Sequence, residues 1–235
     1  MGKAQLDLFS GPAAIIDSGV APAHVSTELA ELAVALPHGV RFGTSSWSFP
    51  GWRGLVYADT HNVSTLAAHG LAAYAKHPLF RAVGLDRTYY GPIDRDAFRA
   101  YAEVVPDDFR FLVKAHELCT IHRYPLHARY GAQRGQLNPY FLDAAYAGDA
   151  VVAPCVEGLK DKLGAILFQF SPQDVHALGG SPGFAPALKT FLSSLPQGPC
   201  YAIELRNAEL FTPRYVHAIA DSNAVHCVNA HPTMP

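Results

Sequence analysis

The stretch GAILFQF at residues 164–170 decides the fold class of this chain. It is a short and almost continuous apolar run, which is typical of a strand buried in a parallel sheet. Amphipathic stretches separate it from similar runs, so the sequence predicts β-α units around a parallel sheet. The other predicted strands are VRFGTSSW (40–47), AVGLDRTYY (82–90), FRFLVKAH (109–116), YAIELR (201–206) and AVHCVNAH (224–231).

Helix signals lie between these strands. Ser64, Asp94 and Asn138 with Pro139 predict helix starts before residues 65–77, 95–105 and at 139–147, and Pro213 fits the first turn of another helix. Residues 184–195 predict one more helix. No GxGxxG follows the first strand, so a TIM-type (β/α) barrel is favoured over a Rossmann sheet. About six strands are identifiable instead of the eight of a full barrel, so we expect the barrel to be incomplete at the C-terminus or completed differently.

Composition predicts a globular chain with one large domain. The 235 residues are 49% hydrophobic and 16% charged, which allows a sizeable core. We assign residues 39–235 to the barrel domain. Residues 1–38 are rich in turn signals and predict a tail with one short helix at 27–36, capped by Ser26 or Thr27.

Charge and cysteine content exclude several classes of function. Eighteen Lys and Arg residues stand against twenty Asp and Glu, a formal charge of −2, so no broad basic surface is expected to bind nucleic acid directly. No signal peptide or membrane-spanning run is found. The four cysteines are far apart and form no CxxC pair, which favours reduced thiols in a cytoplasmic protein.

Polar residues occur at the ends of several predicted strands. Because side chains alternate across a strand, those on one face should converge at the carboxyl end of a barrel, where ligands bind. We expect this mouth to carry Asp86, Thr88, Tyr90, Lys114, His116, Gln169, Glu204 and Arg206, with either Asn229 or His231 at the end of the last strand.

Three of these residues are the catalytic candidates. Glu204 can act as a general base or a ligand, Lys114 can stabilise an anionic or oxyanionic group, and Arg206 can clamp a carboxylate or a phosphate. The alternative is an internal ion-pair network that only fills the mouth.

The sequence gives weaker indications of a metal site, of serine hydrolase chemistry and of aromatic stacking with a ligand. His116, His122 and His127 lack the spacing of a known metal site, so no metal ion is predicted and no cofactor is identified. Serine hydrolase chemistry is not expected, because no GxSxG elbow is present. Trp47 and Trp52 are interpreted either as a stacking wall for a planar ligand or as a plug of the barrel mouth.

Five blocks carry a family resemblance: GTSSWSFPGWRGLVY, LDRTYYG, FRFLVKAHELCT, LGAILFQFSP and YAIELRNAELFT. Together they resemble the family called domain of unknown function 72, also known as the YecE-like family, over residues 41–231. The resemblance implies a TIM-type barrel but no reaction. It places these residues on the family's recurring positions: Gly43, Thr44, Trp47, Trp52, Thr88, Tyr90, Lys114, Gln169, Glu204 and Arg206. Thr44, Trp47 and Trp52 therefore join the candidate substrate-binding residues.

This chain departs from the resembled pattern at two places. Relatives carry Glu-x-Asn in the second strand, whereas this chain reads Gly84-Leu85-Asp86, which removes one carboxylate from the expected mouth. The family's later strands do not appear before Pro235, so we expect a pocket that lacks two of its walls.

The N-terminal peptide QLDLF raises a separate hypothesis. Gln5, Leu6, Asp7, Leu8 and Phe9 resemble the peptide by which bacterial replication and repair proteins dock onto the DNA polymerase sliding clamp. Leu8 and Phe9 would be apolar anchors in a cleft of that partner. Alternatively, the apolar side chains fold back onto this protein.

Three functions remain open from the sequence. The first is a barrel enzyme that a clamp delivers to DNA, the second is a small-metabolite hydrolase, lyase or isomerase with a structural tail, and the third is a non-catalytic adaptor.

Overall fold

A parallel sheet of six strands forms the centre of the protein, and the computed structural model describes residues 19–230. The strands follow one another across the sheet in chain order, so β1 and β6 are its edges within the described residues. They are Phe42–Thr44 (β1), Phe80–Leu85 (β2), Arg110–Lys114 (β3), Leu163–Phe170 (β4), Tyr201–Leu205 (β5) and Val225–His226 (β6). Helices alternate with the strands, so the predicted α/β fold is confirmed and is consistent with a TIM-type barrel.

All six predicted strands are present, but most end earlier than predicted. β2 ends at Leu85 because the next residues, Asp86–Tyr89, form a 3-10 turn. The last strand is only Val225–His226, and the end of its predicted range, His231, lies outside the described residues. The polar residues after these strands are therefore carried by turns, which changes the direction in which some side chains point.

The helices lie between the strands and before the first of them. They are Thr27–Ala35 (α1), Val63–His69 (α2), Leu71–Tyr74 (α3), Arg95–Glu103 (α4), Ala144–Ala147 (α5), Ala153–Leu159 (α6), Gly180–Ser194 (α7) and Pro213–Asp221 (α8). A π turn at Gly148–Val152 joins α5 to α6. Within residues 19–230, none of the helices is long and apolar enough to cross a membrane.

Three predicted helix starts are confirmed. The Ser26 side chain accepts a hydrogen bond from the Leu29 amide at the start of α1 (3.2 Å), and Asp94 accepts one from the Ala97 amide at the start of α4 (2.8 Å). Pro213 is the first residue of α8. Local capping chemistry therefore fixed these ends.

Two predicted helix starts are wrong, and one helix is longer than expected. Asn62, not Ser64, caps α2, because its Oδ1 accepts from the Thr65 amide at 2.8 Å. Asp143, not Asn138, caps α5, since Asn138 donates its amide hydrogens to carbonyls of the preceding loop. The helix predicted at 184–195 begins earlier, at Gly180.

The outward face of the sheet carries the hydrophobic core. Phe168 and Phe170 of β4 make edge contacts with Phe191 and Phe184 of α7, with ring centroids 5.2 and 5.3 Å apart. On the other side of the core, α4 and α6 approach closely at Gly158, where an added Cβ would lie 2.4 Å from the Cβ of Phe98. Bulky strand residues on this face are thus enclosed by helices.

The inward face is the opposite one and carries the polar residues. The register pairs Leu112 with Ala165, Lys114 with Leu167, and Gln169 with Glu204. Since β5 alternates, Ile203 and Leu205 face the helices, as predicted, and Glu204 faces inward. Each strand thus has an apolar side that faces the helices and a side that faces inward, where the polar residues lie.

The segment before β1 is attached to the rest of the fold. The Ala23 amide donates to the Val56 carbonyl and the Ala58 amide donates to the Ala21 carbonyl, both at 2.9 Å. The domain boundary at residues 38 and 39 stays a prediction. The peptide Gln5–Phe9 lies outside the described residues.

Candidate functional site

Polar side chains from β4 and β5 meet at the carboxyl end of the sheet. Gln169 and Glu204 are neighbours in the register, and both are buried. Arg206 follows β5 and donates from Nε to Glu204 Oε1 at 2.8 Å and from Nη2 to Gln169 Oε1 at 3.2 Å. Arg206 therefore ties two strands together. We call Lys114, Gln169, Glu204, Arg206 and Asn229 the mouth cluster.

The Glu204 carboxylate uses its two oxygens differently. Oε1 accepts from Arg206 and also from Asn229 Nδ2, at 3.4 Å. Oε2 accepts no hydrogen bond from any residue between 19 and 230. Although the Glu204 side chain is only 8% exposed, half of its accepting capacity is thus unused by the described protein, and an ionised carboxylate can accept several hydrogen bonds.

Lys114 joins the site from β3 and is held by the turn after β2. Its Nζ lies 2.9 Å from Asp86 Oδ1 and 5.7 Å from the centre of the Tyr89 ring. The turn is fixed to β3 because Thr88 Oγ1 donates to the Lys114 carbonyl at 2.6 Å. The ammonium group is thus positioned by a carboxylate and by an aromatic face.

Tyr89 lies between Lys114 and the group formed by Gln169, Glu204 and Arg206. Its hydroxyl lies 3.3 Å from Ser171 Oγ, which in turn lies 3.5 Å from Gln169 Nε2. Burial raises the pKa of Tyr89, so the phenol is neutral at pH 7. The sequence singled out Tyr90 instead, because a strand was predicted there. The 3-10 turn changes the phase and brings Tyr89 to Lys114.

Cys227 is a mouth residue that the sequence analysis missed. Its amide donates to the Ile203 carbonyl at 2.8 Å, which sets the residue beside Glu204. Burial raises the pKa of its thiol, the Glu204 charge raises it further and the Lys114 charge lowers it. The thiol is thus protonated at neutral pH and close to both charges. The alternation that selected Asn229 also selects Cys227, two positions earlier.

A second polar group lies in the long loop after β3. The buried Glu117 accepts at Oε2 from the Arg129 guanidinium and from Tyr130 OH, the latter at 2.9 Å. Burial raises the pKa of Glu117, while the hydrogen bonds from Tyr130 and Arg129 lower it. The guanidinium lies 4.6 Å from the Tyr130 ring centre and 5.2 Å from that of Tyr90. Tyr90 is 60% exposed, so this group forms an open aromatic side of the mouth.

Side-chain amides link three loops at the mouth. Gln173, after β4, accepts from the His122 amide at 2.6 Å and donates to the Thr120 carbonyl at 2.7 Å. Asn207, after β5, accepts from the Gln173 amide at 2.9 Å. Because these bonds hold main-chain groups, the rim around the mouth cluster is preorganised by residues outside it.

His116 lies on the other side of the sheet from the mouth cluster. Its Nδ1 is 2.5 Å from Tyr146 OH, and it lines a small cavity on the helix side together with Thr88, Val113 and Cys155. Burial, aided by the Arg129 charge, lowers the pKa of His116 to about 4. β3 ends at Lys114, so the alternation of side chains across the strand does not extend to His116. Its imidazole therefore points away from the mouth cluster.

Thr44, Trp47 and Trp52 are not brought to the mouth either. Thr44 Oγ1 lies 2.9 Å from Tyr74 OH, and Trp47 is buried with its Nε1 donating to the Leu66 carbonyl at 3.0 Å. Trp52 packs beside Tyr74, with ring centres 6.1 Å apart. Thr44 is the last residue of β1 and contacts α3 through Tyr74, and the two tryptophans pack among the helices near β1 and β2.

No group of three or more His, Cys, Asp or Glu side chains within residues 19–230 is arranged to hold a metal ion. The loop histidines His122 and His127 are used locally: His122 contacts the Phe141 ring, and His127 Nδ1 accepts from the Arg129 amide. The side chains at the mouth offer carboxylate, ammonium, guanidinium and amide groups, together with the Tyr89 phenol and the Cys227 thiol.

A family profile matches most of the chain. The profile described as "Protein of unknown function DUF72" matches residues 41–234. No curated protein matches the chain.

Solved structures show the same fold. A DUF72 family protein from Thermotoga maritima MSB8 has a TM-score of 0.54 and 22% identity, over 78% of this chain and 62% of its own. A DUF72 family protein from Enterococcus faecalis V583 has a TM-score of 0.51 and 20% identity, over 83% of this chain and 65% of its own. This chain thus spans less than two thirds of the length of either structure, and at these identities the likeness concerns the fold alone.

Proposed function

We propose that this chain, which belongs to the DUF72 family, is an enzyme that binds a small polar molecule at the mouth cluster. The observation that carries the proposal is the buried Glu204 carboxylate, which the described protein hydrogen-bonds on only one of its oxygens. A buried charge is costly unless it is fully paired. A carboxylate with one unused oxygen at the carboxyl end of a parallel sheet is suited to accept a ligand proton or hydroxyl.

Each catalytic candidate has a task that its contacts allow. Glu204 Oε2 acts as a hydrogen-bond acceptor or a general base, while Arg206 and Asn229 hold Oε1 in place. Lys114 supplies a positive charge for an oxygen that becomes negative during the reaction. Asp86, at 2.9 Å from Lys114, orients the ammonium group. Gln169 orients Arg206, and Tyr89 with Ser171 lies between this group and Lys114.

The test uses a small-metabolite library and two matched variants. We would measure ligand-induced shifts of the melting temperature in the unchanged protein, in Glu204→Gln and in Glu209→Gln. Glu209 is an exposed glutamate five residues further on, so it controls for the loss of one negative charge. A ligand whose shift disappears only in Glu204→Gln supports the proposal.

Cys227 offers a second readout at the same place. A ligand in the mouth should slow the alkylation of Cys227 by N-ethylmaleimide, measured by peptide mass spectrometry, while the exposed Cys200 should react at an unchanged rate. Ligands that stabilise the protein equally in both glutamate variants and leave Cys227 unprotected would refute a site at the mouth. A small-metabolite hydrolase, lyase or isomerase remains the enzyme class that this experiment addresses.

Recruitment to DNA replication or repair is the second candidate, and the peptide Gln5–Phe9 favours it. All five residues fit the clamp-binding pattern, and a clamp would supply the proximity to DNA that a net charge of −2 does not. A fluorescent peptide of residues 1–12 and the whole protein should bind a purified bacterial sliding clamp at micromolar concentration. Replacing both Leu8 and Phe9 with Ala should abolish that binding. Unchanged binding in this variant would exclude the motif.

A non-catalytic adaptor is distinguished from the two candidate functions above by the effect of removing Glu204. For an adaptor, Glu204→Gln should leave every cellular effect unchanged, whereas loss of the peptide should not. The four cysteines are free thiols, which supports a cytoplasmic location for either candidate.

A further inference from the structure

We infer that the mouth binds a neutral polyhydroxylated molecule, such as a sugar or a cyclic polyol, through two adjacent hydroxyl groups. This inference rests on the function proposed above and names the class of ligand for that site. It follows from the balance of charge at the mouth, from the unused hydrogen-bonding groups and from the open aromatic side.

The charges at the mouth come in matched pairs. Among residues 19–230, each cation that faces the mouth has its own carboxylate: Lys114 with Asp86, Arg206 with Glu204, and Arg129 with Glu117. A phosphorylated or carboxylated ligand would have to break one of these pairs to gain a counter-charge. In two of the three pairs the carboxylate that would be left uncompensated is buried, since the Glu117 and Glu204 side chains are only 6% and 8% exposed, and this is strongly unfavourable. A neutral ligand leaves all three pairs intact.

The unused groups at the mouth include both donors and acceptors. Within the described residues, Glu204 Oε2 and Asp86 Oδ2 accept no hydrogen bond, and Arg206 Nη1 and two of the three Lys114 ammonium hydrogens donate none. Each hydroxyl of a ligand can donate one bond and accept others. Two adjacent hydroxyls can therefore donate to a carboxylate and accept from its partner cation at the same time. Charge-assisted bonds of this type are stronger than neutral ones.

The aromatic side fits the ring of such a ligand. Tyr90 is 60% exposed, and its ring is held by the Tyr89 edge at 5.4 Å and by the Arg129 guanidinium at 5.2 Å. A sugar or cyclitol ring carries C–H groups that pack on such a surface, and a half-exposed phenol can still hydrogen-bond at its rim. The ligand would thus lie between Tyr90 and the mouth cluster.

The experiment compares chemically matched probes by isothermal titration calorimetry. The neutral probes are D-glucose, D-ribose and myo-inositol. D-glucose 6-phosphate and D-ribose 5-phosphate add a charge, and cyclohexanol removes the adjacent hydroxyls. We expect at least one neutral polyol to bind at least about tenfold more tightly than its phosphorylated form or than cyclohexanol. Asp86→Asn should weaken that binding about tenfold or more, whereas Asp161→Asn, at an exposed site before β4, should not change it.

The other outcomes separate this inference from the proposed function. If only the phosphorylated probes bind, protect Cys227 and lose binding in Glu204→Gln, the neutral ligand class is wrong and the mouth remains the site. If no sugar binds while another library compound requires Glu204, the ligand class is again wrong. If neither the probes nor the library bind in a Glu204-dependent way, both proposals fail.

Discussion

The two faces of the sheet use the same strands for different purposes. On the outward face, Phe168 and Phe170 pack against the aromatic rings of α7. On the inward face of the same strands, Gln169 and Glu204 are buried as polar groups, and Lys114 carries a charge. Adjacent residues of β4 thus belong to a hydrophobic core and to a polar mouth, because side chains alternate across a strand.

The energetic contrast indicates where stability and function are located. Burying a large apolar side chain contributes about 1.5–3 kcal/mol to folding. Burying a charged group is costly, and its partner at best offsets that cost. The outward face therefore accounts for the stability of the fold. The polar groups of the inward face are expected to contribute little to stability, which is consistent with the ligand-binding role proposed for them.

The largest expected effect separates the two faces directly. Phe168→Ala should lower the free energy of unfolding by about 3–5 kcal/mol, because it opens a cavity against Phe191. The matched variant is Leu112→Ala on the inward face, where the side chain is 38% exposed. It should cost about 1 kcal/mol or less. Urea unfolding followed by circular dichroism measures both, and equal losses would contradict the contrast.

The next largest effect is the pH dependence that the buried His116, on the helix side of the sheet, gives to the free energy of unfolding. The pKa of His116 is lowered to about 4 in the fold from an ordinary 6.5. Between these two values the unfolded chain binds a proton that the folded chain does not. The free energy of unfolding should therefore fall as the pH falls from 6.5 toward 4, by about 1.4 kcal/mol per pH unit from this residue. Above pH 6.5 its contribution is constant.

The variant His116→Gln isolates that contribution. It removes the titrating group, so its stability should depend less on pH than that of the unchanged protein in this window. Glu117 acts in the opposite direction, because its pKa is raised in the fold, and it is present in both proteins. Urea titrations at several pH values would measure the difference. Parallel curves for the two proteins would show that His116 is not buried in its neutral form.

A smaller effect is expected from the inward face. Glu204→Gln should change the free energy of unfolding by less than about 1 kcal/mol, because the Arg206 side chain is 32% exposed, so water can solvate its charge once the carboxylate is gone, and a buried amide costs less than a buried carboxylate. The same variant should lose ligand binding. A large loss of stability would favour the alternative, in which the ion pairs only fill the mouth.

Periodicity and capping were sufficient to predict much of the fold. The six strands were found because each is an apolar run, and Asp94 and Pro213 were found as helix starts because their signals are local. Lys114 and Glu204 were found because the strand continues up to them. Asn138 was misplaced because its hydrogen bonds are to Leu118 and Ile121, a tertiary use that no local pattern reveals.

The rest of the candidate site depends on turns and long loops. The turn after β2 brings Tyr89 to Lys114 and leaves Tyr90 on the open side of the mouth, and the end of β3 turns His116 away from the mouth cluster. Thr44 ends a strand of only three residues and Trp47 follows it, and such a strand is too short for alternation to predict the direction of these side chains. Arg129 reaches Glu117 through a loop folded around Tyr130. No sequence spacing specifies that contact.

The smallest expected effect concerns an ion pair remote from both faces. Lys189 Nζ lies 2.7 Å from Asp221 Oδ2 at the surface between α7 and α8, and it lowers the pKa of Asp221. Both side chains are about half exposed, so solvent screening and side-chain ordering offset their attraction. Lys189→Met should therefore leave the urea midpoint unchanged within error. If it instead matched Phe168→Ala, short ion pairs would stabilise this fold as much as its aromatic core does. The argument that the inward pairs are retained for ligand binding would then fail, because stability alone would explain them.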